Sequence, residues 1–196
     1  RCHHYRCLHV PRPPLPVEGL QQLVDRIASA GGFGPDECLR EDVRVSGAPD
    51  VTAFAAELSE KACRLVSRAR HAGLVSSLAQ QIQRDAEEIG MVLATMLPAT
   101  EKLSLKLELM GENCCGRWHQ DNYTGRAIVS YNGCGTEYVD HRNVNFWELE
   151  HCGNNDHIIR DFSKVFSVKP ADFFFMKGKL FPGAVNGLVH KSPDKR

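Results

Sequence analysis

The hydrophobic pattern of the chain changes period near residue 100. Before that point apolar side chains recur every three or four positions. Leu20, Leu23, Val24 and Ile27 form a first stripe, which Gly31-Gly32 stops. Asp50 reads as a helix N-cap ahead of a second stripe of Val51, Phe54, Ala55, Leu58, Ala62, Leu65, Val66 and Ala69, ending at Gly73. A third runs through Leu74, Leu78, Ile82, Ile89, Val92, Leu93 and Met96, with Pro98 beyond it. Positions three and four apart share one face of a helix, so the first half is predicted helical. From Leu103 the period falls to two. Leu103, Leu105, Leu107 and Leu109 alternate with Lys102, Ser104, Lys106 and Glu108, as in a half-buried strand. Further short strands are predicted at 126–131, closing on a hairpin-type turn at Asn132-Gly133, and at 136–139, 164–168, 173–176 and 185–190. Residues 143–161 read as a polar insertion between them.

This order of elements predicts an α+β fold. A C-terminal double-stranded β-helix, or jelly roll, over 101–196 would pack against an N-terminal α-helical layer over 17–100, in one compact unit. Residues 1–16 carry Cys2-His3-His4, Cys7, His9 and four prolines, which predict a flexible arm, because proline supplies no donor to a helix or a central strand. Their Cys and His spacings match no zinc module.

Composition narrows the class of partner. Lys plus Arg equals Asp plus Glu at 24 each, so bulk charge gives no reason to expect a nucleic acid or a membrane, and a small-molecule substrate is expected. The eight cysteines are scattered, with no secretory signal or long apolar run, which points to reduced thiols and an intracellular, cytoplasmic location. The first residue is Arg1 rather than Met, as in a fragment or processed form, and organelle targeting by an upstream segment stays compatible with the sequence.

The chemistry concentrates in His119-Gln120-Asp121 and, much later, His190. In a strand, residues i and i+2 point the same way, so His119 and Asp121 can share a metal while Gln120 faces outward. Two imidazoles and a carboxylate are the facial ligand set of non-haem Fe(II) oxygenases, which leaves positions open for oxygen and a cosubstrate. In a jelly roll that cosubstrate is usually 2-oxoglutarate, whose distal carboxylate needs a cation. Each residue also has a plainer reading. His190 suits a satisfied buried histidine, Asp121 a turn cap, Trp118 a core anchor, and Cys114-Cys115 structural thiols. His141, His151, Cys152 and His157 fit the ordinary polar surface of a long loop better than a second metal cluster.

Four segments carry a family resemblance: Lys106-Leu107-Glu108-Leu109, Arg117-Trp118-His119-Gln120-Asp121, Gly133 to Asp140, and Phe181-Pro182-Gly183 leading to Val189-His190-Lys191-Ser192-Pro193. Over roughly residues 100–196 the chain resembles the family catalogued as domain of unknown function 1826, with Phe181, His141 and Lys191 departing from its pattern. That family looks like a distant branch of the Fe(II)/2-oxoglutarate-dependent oxygenases, which implies His119, Asp121 and His190 as ligands. In such enzymes the cosubstrate cation lies roughly ten residues after the second histidine, an expectation from fold analogy. Here Arg126, Tyr131, Lys191 and Arg196 are the candidates for cosubstrate binding, with Lys106 as a further cation. The expected function is an Fe(II)-dependent oxygenase acting on a small molecule with 2-oxoglutarate and O2. The alternatives are a Zn(II)-binding or metal-homeostasis protein, a cupin-like metalloenzyme without 2-oxoglutarate, and a jelly roll without metal.

Overall fold

A computed structural model describes residues 5–15, 20–29, 38–45, 51–110, 115–151 and 153–193. Cys2, His3, His4, Gly31, Gly32, Asp50, Cys114, Cys152 and Arg196 lie outside these residues. The chain opens on β1 (Cys7–Val10), followed by α1 (Leu20–Ser29), β2 (Cys38–Arg44), α2 (Val51–His71), α3 (Ser76–Met96) and β3 (Lys102–Glu108). Then come β4 (His119–Gln120), β5 (Gly125–Ile128), β6 (Glu137–Val139), α4 (Phe146–Glu150), α5 (Asn155–Ile158), β7 (Val165–Ser167), β8 (Phe173–Lys177) and β9 (Val189–Lys191). The fold is α+β, and among the described residues every strand pairing is antiparallel.

The chain divides into two compact units where one was expected. Residues 16–113 form the first; residues 1–15 and 114–196 form the second. In the first, the predicted stripes bury Leu58, Ala62, Leu65, Val66 and Ala69 of α2 and Leu78 and Ile82 of α3, where Ala79 is buried as well. Gly90 lets α3 approach α2 closely, since a Cβ there would stand 2.7 Å from Leu58. The boundary falls beyond β3, not at residue 100, because β3 pairs with β2, in register from Cys38↔Glu108 to Arg44↔Lys102. Val43 and Leu103 from this pair pack with Leu58 of α2. Lys106 lies on β3, so it belongs to the helical unit.

The second unit holds two sheets, β1-β8-β5 and β4-β9-β6-β7. One row crosses the four-stranded sheet as His119, His190, Tyr138 and Phe166. Tyr138 meets Phe174 and His9 of the other sheet, with ring centroids 4.7 and 6.4 Å away, so this face turns inward between the sheets. Phe174, Met176, Val168 and Leu188 fill the space between. The opposite face presents Trp118, Val139 and Val189, covered by Val144, Ile158 and Ile159 from the 143–161 insertion. That insertion contains α4 and α5. Asn132-Gly133 joins no hairpin: β5 pairs with β8 and β6 with β7 and β9, so the turn carries the chain from one sheet to the other.

The arm expected over 1–16 contributes a strand instead. β1 lies along β8 from Cys7↔Met176 to Val10↔Phe173, at a sheet edge where nearby prolines leave no central ladder incomplete. Side chains pin it. His9 Nε2 lies 2.7 Å from Oδ2 of Asp172, a residue only 2 % exposed, while Arg12 N–H donates to Oδ1 at 2.9 Å. His9→Ala removes one partner of a buried carboxylate and should lower unfolding free energy by about 2 kcal/mol. Urea denaturation measures this, and a shift within noise would show that the backbone ladder alone holds β1.

Candidate metal centre

The centre is built by two neighbouring strands. β4 and β9 are antiparallel, with His119 directly opposite His190, so the pleat puts both imidazoles on the inward face. Asp121 follows β4 immediately, two residues from His119, on the same side. One ligand atom from each of the three residues lies within 4.8 Å of the others. His119 Nε2 is 3.8 Å from Asp121 Oδ1, and His190 Nε2 is 3.7 Å from Oδ2. The imidazole centroids are 4.4 Å apart.

Backbone carbonyls set the tautomers. His119 Nδ1 lies 2.8 Å from Arg117 O, and His190 Nδ1 lies 3.2 Å from Leu188 O. A carbonyl only accepts, so each Nδ1 carries the proton and each Nε2 presents its lone pair toward the carboxylate. Nothing in the sequence signals these two carbonyls. The donor set of two neutral nitrogens and one carboxylate suits Fe(II), Zn(II) and related divalent ions, and the carbonyl-held imidazoles are the support such ligands usually have. Asp121 and His190 are buried, whereas the His119 side chain is 31 % exposed, so approach from solvent is past His119.

Burial pushes the His190 imidazolium down to about 4, with His119 and Arg126 adding to the effect and Asp121 and the Leu188 carbonyl opposing it. An unfolded histidine takes up its proton near pH 6.5. Between those values the unfolded chain therefore binds the extra proton, and stability falls as pH falls. For metal-free protein the loss should approach roughly 3 kcal/mol by pH 4, from this group alone. Chemical denaturation of wild type and His190→Gln across that window measures it; parallel pH curves for the two would remove His190 as the cause.

The proposed cosubstrate residues separate sharply. Arg126 on β5 comes from the facing sheet, and its Nη1 lies 3.3 Å from Asp121 Oδ2 and 3.5 Å from Oδ1. Lys191 faces away. It neighbours His190 in a strand, so it shares the outer face with Trp118 and Glu137, its Nζ 5.6 Å from the Trp118 ring centroid and 3.4 Å from Glu137 Oε2. Tyr131 lies beyond the end of β5. Trp118 is a core anchor at 1 % exposure.

Among the described residues, His119, Asp121 and His190 are the only group of three or more that could hold a metal. His151 instead bonds Trp147 O through Nδ1, and His141 packs against Phe146. Cys115, an exposed thiol, places Sγ 3.6 Å from His119 Nδ1. Beside the centre is a cleft of about 250 Å3, walled by His119, Arg117, Gln120, Glu150 and Lys179 among others. Sequence spacing gives no hint of it, because its walls come from β4, α4 and the loop after β8.

Among the described residues no helix is long and apolar enough to cross a membrane. No curated protein and no solved structure matches the chain. A family does match, and over more than the strand region: residues 37–196 fit the family described as protein of unknown function (DUF1826), to which this chain therefore belongs.

Proposed function

We propose that the protein is a non-haem Fe(II)-dependent oxygenase that uses 2-oxoglutarate and O2 to oxidise a small molecule. The observation carrying this reading is the convergence of His119, Asp121 and His190, with both Nε2 atoms and the carboxylate turned to one point. The strand order supports a jelly roll, because the chain crosses between two facing sheets from β5 to β6, from β7 to β8 and from β8 to β9, and His119 and His190 come from adjacent strands of one sheet. Bound Fe(II) would supply oxygen activation, with 2-oxoglutarate as electron donor.

The chain's own residues do the positioning. Arg117 O and Leu188 O keep the imidazoles in the Nδ1–H form, and burial keeps His190 neutral at physiological pH. Asp121 supplies the negative charge that favours a divalent cation. Arg126 holds that carboxylate from the facing sheet and is the cation available on that side for a cosubstrate carboxylate. Phe174, Met176 and Leu188 exclude water from the space behind the ligands.

Anaerobic addition of Fe(II) and 2-oxoglutarate should give a weak visible charge-transfer band that Arg126→Ala diminishes. Its absence from protein that has bound iron would sink the cosubstrate claim. The same donor set takes Zn(II), which the usual affinity order favours over ferrous iron. Metal analysis of protein purified without added metal, followed by turnover after iron reconstitution, separates a zinc-binding role from oxygenase chemistry.

A further inference from the structure

We propose that the loop after β8, residues 178–187, docks the second unit on an anionic lipid surface, with Leu180 and Val185 entering the headgroup layer. This goes beyond the oxygenase reading and does not depend on it. The loop contains Phe181-Pro182-Gly183, one of the segments that carry the family resemblance, and the metal centre leaves that segment without a role. Apolar side chains crowd its surface. Val185 is 89 % exposed and Leu180 60 %, and Tyr123, whose carbonyl accepts the Leu180 N–H at 3.1 Å, is 51 % exposed. Pro182 is exposed as well. Single exposed apolar residues are ordinary, but several on one loop mark a surface that something covers.

The loop's backbone closes on itself. Leu188 N–H donates to Lys177 O at 2.8 Å across its base, and a Cβ on Gly187 would stand 2.8 Å from Gly178 C, so the two ends pack backbone to backbone. Phe181 N–H donates to Gly178 O, Ala184 N–H to Phe181 O and Lys179 N–H to Asp121 O, while Pro182 has no donor to satisfy. Donors bonded internally suit a segment that leaves water, since hydrocarbon offers them no acceptor. A loop pinned in this way also loses little freedom on docking. Charge then selects the lipid. Lys177 and Lys179 flank the apolar residues, and no acidic residue occurs from Phe173 to Pro193. Lys177 Nζ lies 4.3 Å from the Phe181 ring centroid, which joins positive charge to the apolar face. In the cleft beside Lys179, the cations Arg117 and Lys179 outnumber Glu150. Zero net charge gives the whole chain no attraction at a distance, but interfacial binding needs only a local apolar surface with lysines beside it. A twofold pairing of the loop with its copy would set lysine against lysine, so a second chain is the weaker occupant.

The test is co-sedimentation of the full chain with vesicles of phosphatidylcholine, alone or with about 30 % phosphatidylserine. Binding is expected on the anionic vesicles, weaker on the neutral ones, and reduced as salt rises. Lys179→Gln should weaken it about fivefold, and the double change Leu180→Ser with Val185→Ser at least about tenfold. All three side chains are exposed, so these variants should fold, and circular dichroism checks that they do. No binding to the anionic vesicles overturns the proposal. Unchanged binding by the folded double variant does the same, because lipid affinity then lies elsewhere, as does equal binding to neutral vesicles, which removes the part of the lysines. Self-association abolished by the double variant, without vesicle binding, would give the loop to a second copy instead. Neither metal nor turnover enters the measurement, so the loss of the oxygenase reading leaves this result standing, and the reverse holds.

Discussion

His190→Ala should lower divalent-metal affinity by at least about a hundredfold, since even groups that only support a ligand contribute ten- to a hundredfold. The side chain is 3 % exposed as a residue, directly opposite His119 and 3.7 Å from the Asp121 carboxylate, so no solvent-side group can take its place without moving β9. Deleting it also leaves a small cavity, and the metal-free variant should lose about 1–3 kcal/mol of stability. Asp121→Asn separates the two effects. It keeps the shape and removes the charge, leaving the Arg126 guanidinium beside a neutral amide, so affinity should fall while packing is nearly unchanged. Competition against a chromophoric chelator, with circular dichroism as the check on folding, measures both variants. Folded His190→Ala protein that binds Zn(II) as tightly as wild type would remove the basis of the metal centre.

Gly178→Ala should damage both fold and site from a position with no ligand atom. A Cβ there would stand 1.9 Å from Tyr123 O and 3.1 Å from Asp121 O, and both contacts are backbone, which cannot swing aside as a flexible side chain can. The loop after β8 must retreat from the loop after β4. Gly178 N–H to Thr124 O, Lys179 N–H to Asp121 O and Leu180 N–H to Tyr123 O then weaken together. Overpacking of this kind removes typically 1–3 kcal/mol, and the backbone clash places this change at or above the top of that range. Gly133→Ala is the contrast. There φ is +73° and nothing stands within 4 Å of an added Cβ, so only the left-handed conformation opposes alanine, at about 1–2 kcal/mol. Denaturant midpoints and Zn(II) affinities of the pair should show metal binding weakened in Gly178→Ala alone; equal affinities would mean that Asp121 is held independently of this loop.

The three candidate metal ligands were legible because two of them sit two residues apart, at and just after a strand, and the residue types are few. What the sequence could not supply was the pairing of His119 with His190, 71 positions apart in the chain, a register that β4 and β9 reach only in three dimensions. Arg126 was recognisable as a candidate but not as a contact, because it arrives from the other sheet. The orientation of Lys191 was readable: in a strand the neighbour of His190 must face the other way. β2 escaped because Cys38–Arg44 carries only Leu39 and Val43 as large apolar residues among Arg, Glu and Asp, and its strand character comes from pairing with β3. β1 was hidden by the prolines that follow it, since its hold depends on His9 and Arg12 meeting Asp172 from far along the chain. The three helical stripes needed no such partners, and α1, α2 and α3 fall where the period of their apolar residues puts them.

The strand order also bears on how the chain is made. β8, with Phe173-Phe174-Phe175-Met176, is a segment prone to join a foreign edge, and β9 brings the last candidate metal ligand. β8 lies between β1 and β5, and β9 between β4 and β6, so both neighbours of each precede it in the chain. Synthesis from the N-terminus therefore delivers each of these central strands into a slot whose two sides already exist. The phenylalanine-rich strand need never wait on the ribosome as a bare edge, and His190 arrives only when His119 and Asp121 are there to meet it.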